Sequence, residues 1–189
     1  MADNWRIALE VVAGALADAP FTWIVVGSVA STLRGCDFEP GDLDLLVTSY
    51  GSLQLMGERL DPIAGQRESE ILTQEFPGGF KWHKLYWELS GVKIDASFIE
   101  SGGGIPDGEN GEGVWEGGVY VWNYLETVDF KDHAIPVPNL CIQLESQLRM
   151  NRMERAAETR RVLRMRGYDV ETAGKCLSTQ NLAYLLEAR

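Results

Sequence analysis

Apolar positions near the start of the chain recur at helical spacing. Trp5, Ala8, Leu9, Val12 and Leu16 would share one helix face, with Asp3 or Asn4 placed to cap it and Pro20 just past its end. The pattern then changes: residues 21–26 (FTWIVV) are aromatic and β-branched, which predicts a buried strand. Gly27-Ser28 interrupts that run, and residues 29–33 read as a short helix. Glu39-Pro40-Gly41 marks a turn, followed at once by a second strand over 42–48 (DLDLLVT).

Residues 51–60 read as a helix with Leu53, Met56 and Leu60 on one side. Residues 71–76, 81–89 and 92–99 are strand candidates, the last two joined through a tight Ser90-Gly91 hairpin. Residues 102–118 hold eight glycines and predict no regular structure, but a mobile loop or a lid over a site. Short strands are expected at 119–124 and 134–137. After Pro138 the pattern turns helical, with Leu140, Leu144 and Leu148 in one stripe of a helix running over 140–163. Gly167 ends that region, and residues 179–188 form a last helix. The order predicts an α/β or α+β body over residues 1–135 and a C-terminal helical segment over 136–189.

Charge sharpens this picture. The 189 residues carry a net charge of −11, which disfavours a broad nucleic-acid surface. Residues 139–168 depart from the rest, with seven arginines against three glutamates, so that stretch is +4 and the remainder −15. Such a basic run is commonly a solvated helix face. It is also what a site for a metal-bound triphosphate needs, and Arg149, Arg152 and Arg155 are the candidates to face a phosphate. The three cysteines are widely spaced and in no metal-ligand pattern, as free thiols of a reducing compartment would be. Absence of a long apolar run or a leader-like start predicts a cytoplasmic protein without a membrane span.

The chemistry concentrates at Asp42-Leu43-Asp44. On a strand, residues i and i+2 share a face about 6.6 Å apart, so both carboxylates would point the same way while Leu43 enters the core. Two like charges on one face call for a cation between them. Magnesium takes oxygen ligands, typically one or two carboxylates together with substrate phosphates. Upstream, Gly27-Ser28 lies where a strand gives way to a helix, so backbone N–H groups and a hydroxyl are offered to an anion. Downstream, Asp95 falls inside the strand over 92–99, where an unpartnered carboxylate is unexpected.

Gly27-Ser28, a thirteen-residue spacer, Asp42-Leu43-Asp44-Leu45 and a later strand aspartate together resemble the nucleotidyltransferase superfamily related to polymerase beta. The motif-bearing likeness spans residues 23–99, and residues 136–168 resemble the helical region of small bacterial and archaeal members, antibiotic nucleotidyltransferases among them. The resemblance implies a mixed β-sheet core in which Asp42 and Asp44 hold a magnesium ion and Asp95 completes a second site and activates the acceptor hydroxyl. It implies that Gly27 and Ser28 contact phosphates of a nucleoside triphosphate, ATP foremost, with Arg152 and Arg155 assisting. The implied reaction transfers a nucleoside monophosphate to a hydroxyl of a small, antibiotic-like molecule and releases pyrophosphate. Transfer to tRNA or protein in a toxin–antitoxin setting, or a non-catalytic nucleotide-binding module, are the alternatives. Many small members carry an arginine-rich run after Gly-Ser; here residues 29–35 leave only Arg34.

Overall fold

The structure, a computed structural model, describes residues 4–64 and 70–187. Helix α1 (Asn4–Leu16) buries every residue of the predicted stripe. Next come β1 (Trp23–Val26), α2 (Gly27–Leu33), β2 (Asp42–Val47), α3 (Tyr50–Ala64), β3 (Leu72–Phe76), β4 (Phe80–Leu89) and β5 (Val92–Ile99). The five strands form one mixed sheet in the order β1-β2-β5-β4-β3, with β2 and β5 parallel and the other pairs antiparallel. Ser90 and Gly91 turn the β4–β5 hairpin with φ of 55° and 74°, which a two-residue hairpin of this twist requires.

Strand parity divides the sheet into two faces. Val25, Leu43, Leu45, Leu85, Trp87 and Ile94 pack with α1 and α3 in one core. Leu43 and Leu45 share that face without any bend in β2. Ile24, Val26, Leu46 and Ile99 face the other way, into a second core built with the C-terminal helices. A second hairpin, β6 (Leu125–Phe130) and β7 (His133–Pro138), leads into those helices, so the expected boundary at 135/136 falls within β7. The helices are α4 (Leu140–Arg149), α5 (Met153–Arg166), α6 (Val170–Cys176) and α7 (Thr179–Leu186). Asn139 caps α4, its side-chain oxygen accepting the Cys141 N–H at 2.9 Å.

Three sequence expectations change. The helix over 140–163 is two helices, broken where Asn151 takes φ of 55°. Residues 119–124 contain a single 3₁₀ turn (Tyr120–Asn123) rather than a strand. The glycine-rich stretch is anchored, not loose. Val114 and Trp115 are buried in the second core, and Asp107 accepts the N–H groups of Trp115 and Tyr120 at 2.9 and 3.0 Å. Arg149 donates to the carbonyls of Pro106, Glu112 and Gly113, while its Nε meets the buried Glu145 at 2.7 Å. Glu145 also accepts from the Ser178 N–H and the Asn181 amide, at 2.9 and 2.8 Å. A carboxylate so fully partnered in the interior fixes the arginine, and through it the segment. Among the described residues no helix is long and apolar enough to cross a membrane.

Candidate active site

Leu43 and Leu45 of β2 and Ile94 and Ala96 of β5 occupy the α1/α3 face, so the aspartates between them emerge together on the other. Asp42 lies opposite Lys93, and Asp44 lies directly opposite Asp95 across the parallel pair. Asp42 is exposed, whereas Asp44 and Asp95 are half-buried. Burial first, then the charges of Asp42, Asp95 and Glu116, push the Asp44 carboxyl up to about 7, with Lys84 pulling the other way. Asp95 has partners of its own: Lys84 Nζ at 3.2 Å and Ser97 Oγ at 2.8 Å. Lys93, two residues away on the same strand, does not take that role; its Nζ sits 3.9 Å from the centre of the Tyr86 ring.

Gly27 begins α2 with φ of +66°, a conformation that glycine adopts at little cost. It also abuts Asp44 so closely that a Cβ at this position would collide with the carboxylate. Sequence thus places a glycine where the backbone turn and the acid meet. A cleft of about 770 Å³ opens there, lined by Gly27, Ser28, Asp42, Asp44, Arg152 and Arg155 among others. The break between α4 and α5 brings the last two to this rim. Arg149, at the same helical spacing in the sequence, turns away to hold the glycine-rich segment. Arg34 pairs with Glu126 and does not line the cleft.

A second compartment, about 180 Å³, shares Gly27, Asp44 and Arg152 with the first and is walled by Trp82, Trp115, Lys84 and Asp95. Of the aromatic residues of β4, then, Trp82 forms a wall while Trp87 is buried in the α1/α3 core. His83 also lies off the cleft, between Thr73 and Glu100.

Glu116 is the site residue that sequence reasoning misses. Its carboxylate accepts the Gly27 N–H at 3.1 Å and the Gln143 amide at 2.6 Å, while Ser146 Oγ accepts its backbone N–H at 3.1 Å. Burial raises its proton affinity, and the Gly27 and Gln143 hydrogen bonds, then Arg152 and Arg155, oppose that. The signal available was Val114-Trp115, a bulky apolar pair inside a glycine tract, which marks a segment pinned to a core.

Among the described residues no group of three or more His, Cys, Asp or Glu side chains is arranged to hold a metal ion, so Asp42, Asp44 and Asp95 do not form a three-carboxylate metal cluster. The donor set fits magnesium nonetheless, because that ion keeps water and substrate phosphates alongside one or two carboxylates. Asp42 and Asp44 offer those hard oxygens, and the repulsion from Asp42, Asp95 and Glu116 that adds to burial in raising Asp44 is what a cation relieves.

No protein-family model and no curated protein sequence matches the chain. Solved structures do. A Thermotoga maritima protein assigned as a nucleotidyltransferase superposes with a TM-score of 0.59 at 19% identity, over 85% of this chain and 93% of that one. The antibiotic-resistance factor ANT(2'')-Ia superposes with a TM-score of 0.52 at 11% identity, over 98% of this chain and 90% of that one. The chain has a nucleotidyltransferase-like fold. Identities this low concern the fold alone. Within the nucleotidyltransferase-like sheet, Asp42 and Asp44 of β2 and the Gly-Ser pair at the start of α2 line one cleft, and Asp95 of β5 lines the second compartment, which shares Asp44 with it.

Proposed function

We propose that the protein is a magnesium-dependent nucleotidyltransferase that moves a nucleoside monophosphate from a nucleoside triphosphate, ATP foremost, to a hydroxyl of a small molecule. The observation that carries this reading is the position of Asp44, at the junction of a phosphate-sized polar cleft and a smaller aromatic-walled compartment. Residues 1–135 supply the acids and the Gly-Ser pair, and the helical segment over 136–189 supplies the arginines. Gly27, Ser28, Arg152 and Arg155 bind and orient the triphosphate through charge-assisted hydrogen bonds. Asp42 and Asp44 would hold one magnesium ion, and Asp44 with Asp95 a second. When bound, the ions neutralise charge on the triphosphate and on the departing pyrophosphate.

The acceptor hydroxyl oxygen forms a bond to the α-phosphorus, the bond from that phosphorus to the bridging oxygen breaks, and pyrophosphate leaves. The hydroxyl proton passes to Asp95. Lys84 and Ser97 hold that carboxylate toward the second compartment, so orientation supplies much of the rate. A small acceptor suits both the compartment and the net charge, which opposes a polyanionic one. ANT(2'')-Ia, the antibiotic-resistance factor of similar fold, is the precedent for an antibiotic-like acceptor.

The test is incubation with magnesium and each α-labelled triphosphate against small hydroxyl compounds, tRNA and the protein itself. Label should move to a small acceptor, and Asp95→Asn should keep the triphosphate complex while losing the transfer. Label on tRNA or on the protein would shift the reading to a macromolecular acceptor. No transfer to any of them, or full transfer in Asp95→Asn, would overturn it.

A further inference from the structure

Helix α2 begins without a cap of its own. Val26, a buried strand residue, stands at its N-cap position and makes no side-chain cap bond. The capping oxygen comes instead from 89 residues further along the chain, where Glu116 Oε2 accepts the Gly27 N–H at 3.1 Å. A carboxylate there satisfies an orphan donor and meets the positive end of the helix.

Glu116 is itself fixed through its side chain and its backbone. Gln143 Nε2 donates to the same Oε2 at 2.6 Å, and Gln143 Oε1 accepts the Ser31 hydroxyl at 2.7 Å, so hydrogen bonds join α4 to α2. Ser146 Oγ accepts the Glu116 N–H at 3.1 Å. Ser31, Gln143 and Ser146 are each no more than 2% exposed, beside a core of apolar residues. Helix stability alone would be met by a serine or aspartate at the cap position, without drawing a carboxylate and three polar side chains inward.

What the distant cap adds is position. Gly27 lines both spaces of the site, and a Cβ on it would stand 2.4 Å from Asp44 Oδ2. Any shift of this turn toward the strand displaces the Asp44 carboxylate, and a misplacement of ~1 Å at a reacting centre costs about a hundredfold. Glu116 reaches the turn from the side of the second compartment, which it lines.

Resting on the nucleotidyl-transfer reading, we propose that Glu116 is a positioning residue. As the distant cap of α2 it holds the Gly27 turn, and with it Asp44, in the geometry that takes the metal-bound triphosphate. Reach rather than charge is what this role requires, because the Gly27 and Gln143 bonds end on one oxygen. Glu116→Gln keeps an oxygen at that distance and loses the charge, whereas Glu116→Asp keeps the charge and stops one methylene short.

Two measurements on these variants test this: hydrogen exchange of the Gly27 amide in the ligand-free protein, and calorimetric titration at pH 8 with magnesium and a non-hydrolysable triphosphate. In Glu116→Asp the Gly27 amide should exchange at least about tenfold faster, and the triphosphate should bind at least about tenfold more weakly, as loss of one charge-assisted hydrogen bond implies. In Glu116→Gln neither should worsen by more than about threefold. Gly27 exchange equal in Glu116→Asp and the parent, parental triphosphate affinity in folded Glu116→Asp, or a tenfold loss of affinity in Glu116→Gln would overturn the proposal. Lower melting of Glu116→Asp with parental affinity would make the network structural only. If Glu116→Asp does not fold, Glu116→Gln decides alone, near-parental affinity with a protected Gly27 amide supporting the role. Absence of magnesium-dependent binding to the parent overturns the nucleotidyl-transfer reading instead.

Discussion

The two faces of β2 present the same backbone with opposite chemistry. Leu43, Leu45 and Val47 are buried against α1 and α3, while Asp42, Asp44 and Leu46 look toward the C-terminal helices. On the first face every neighbour is apolar, and burial stabilises the fold. On the second, Asp44 sits beside Asp95 and near Asp42 and Glu116, and the crowding costs stability that the apolar face must offset. A strand that stabilises through one face and is strained electrostatically through the other has its acids positioned by the fold, not for the fold.

The sharpest way to break the comparison is to exchange chemistry between faces. Leu43→Asp would place an unpaired carboxylate where the side chain is fully buried. It should cost at least about 4 kcal/mol, enough to erase the cooperative thermal transition of a marginally stable domain. Circular dichroism on heating reads this directly, and a transition close to that of the parent would show that the face is not a tight core.

A middle-sized effect is expected away from the strand. Arg149→Ala leaves Glu145 buried without its ion pair and frees the carbonyls of Pro106, Glu112 and Gly113. The loss should be about 3 kcal/mol, with faster amide exchange across residues 106–116. Unchanged exchange there would mean that the glycine-rich segment holds its place, and that of Glu116, without the clamp.

Much of this molecule is readable from its residues. The stripe of α1, the alternation through β2 and β5, and the shared face of Asp42 and Asp44 follow from period and spacing, whereas the place of Asp95 beside Asp44 is implied only by the family resemblance. What escapes is set by contacts distant in sequence. Lys84 reaches Asp95 from the next strand because the β4–β5 register brings that part of β4 alongside it, which no local pattern announces. Glu116 enters the site only because Arg149, Asp107 and the second core hold a glycine-rich segment that reads locally as loop. The break after α4 depends on one asparagine adopting a left-handed conformation inside an otherwise helical stretch, and it decides which arginines face the cleft.

The stability effect on the acidic face itself has the opposite sign, and that sign is diagnostic. The Asp44 pKa, near 7, stands above that of an aspartate in the unfolded chain, so the folded state holds an extra proton between the two values. Stability therefore falls as pH rises through that window, from about 4 to about 7. Asp44→Asn removes this loss. The variant should match the parent near pH 4 and melt clearly above it at pH 8, whereas a structural aspartate would give a variant that melts lower.

The same substitution tests the central claim when binding is measured in place of melting. Calorimetry at pH 8 with a non-hydrolysable triphosphate should show magnesium-dependent binding to the parent protein that weakens as pH falls below about 7, where Asp44 takes up its proton. Folded Asp44→Asn should show none. Undiminished binding to the folded variant, or binding to the parent that is equally tight without magnesium, would contradict the assignment of Asp44 to a metal–triphosphate site.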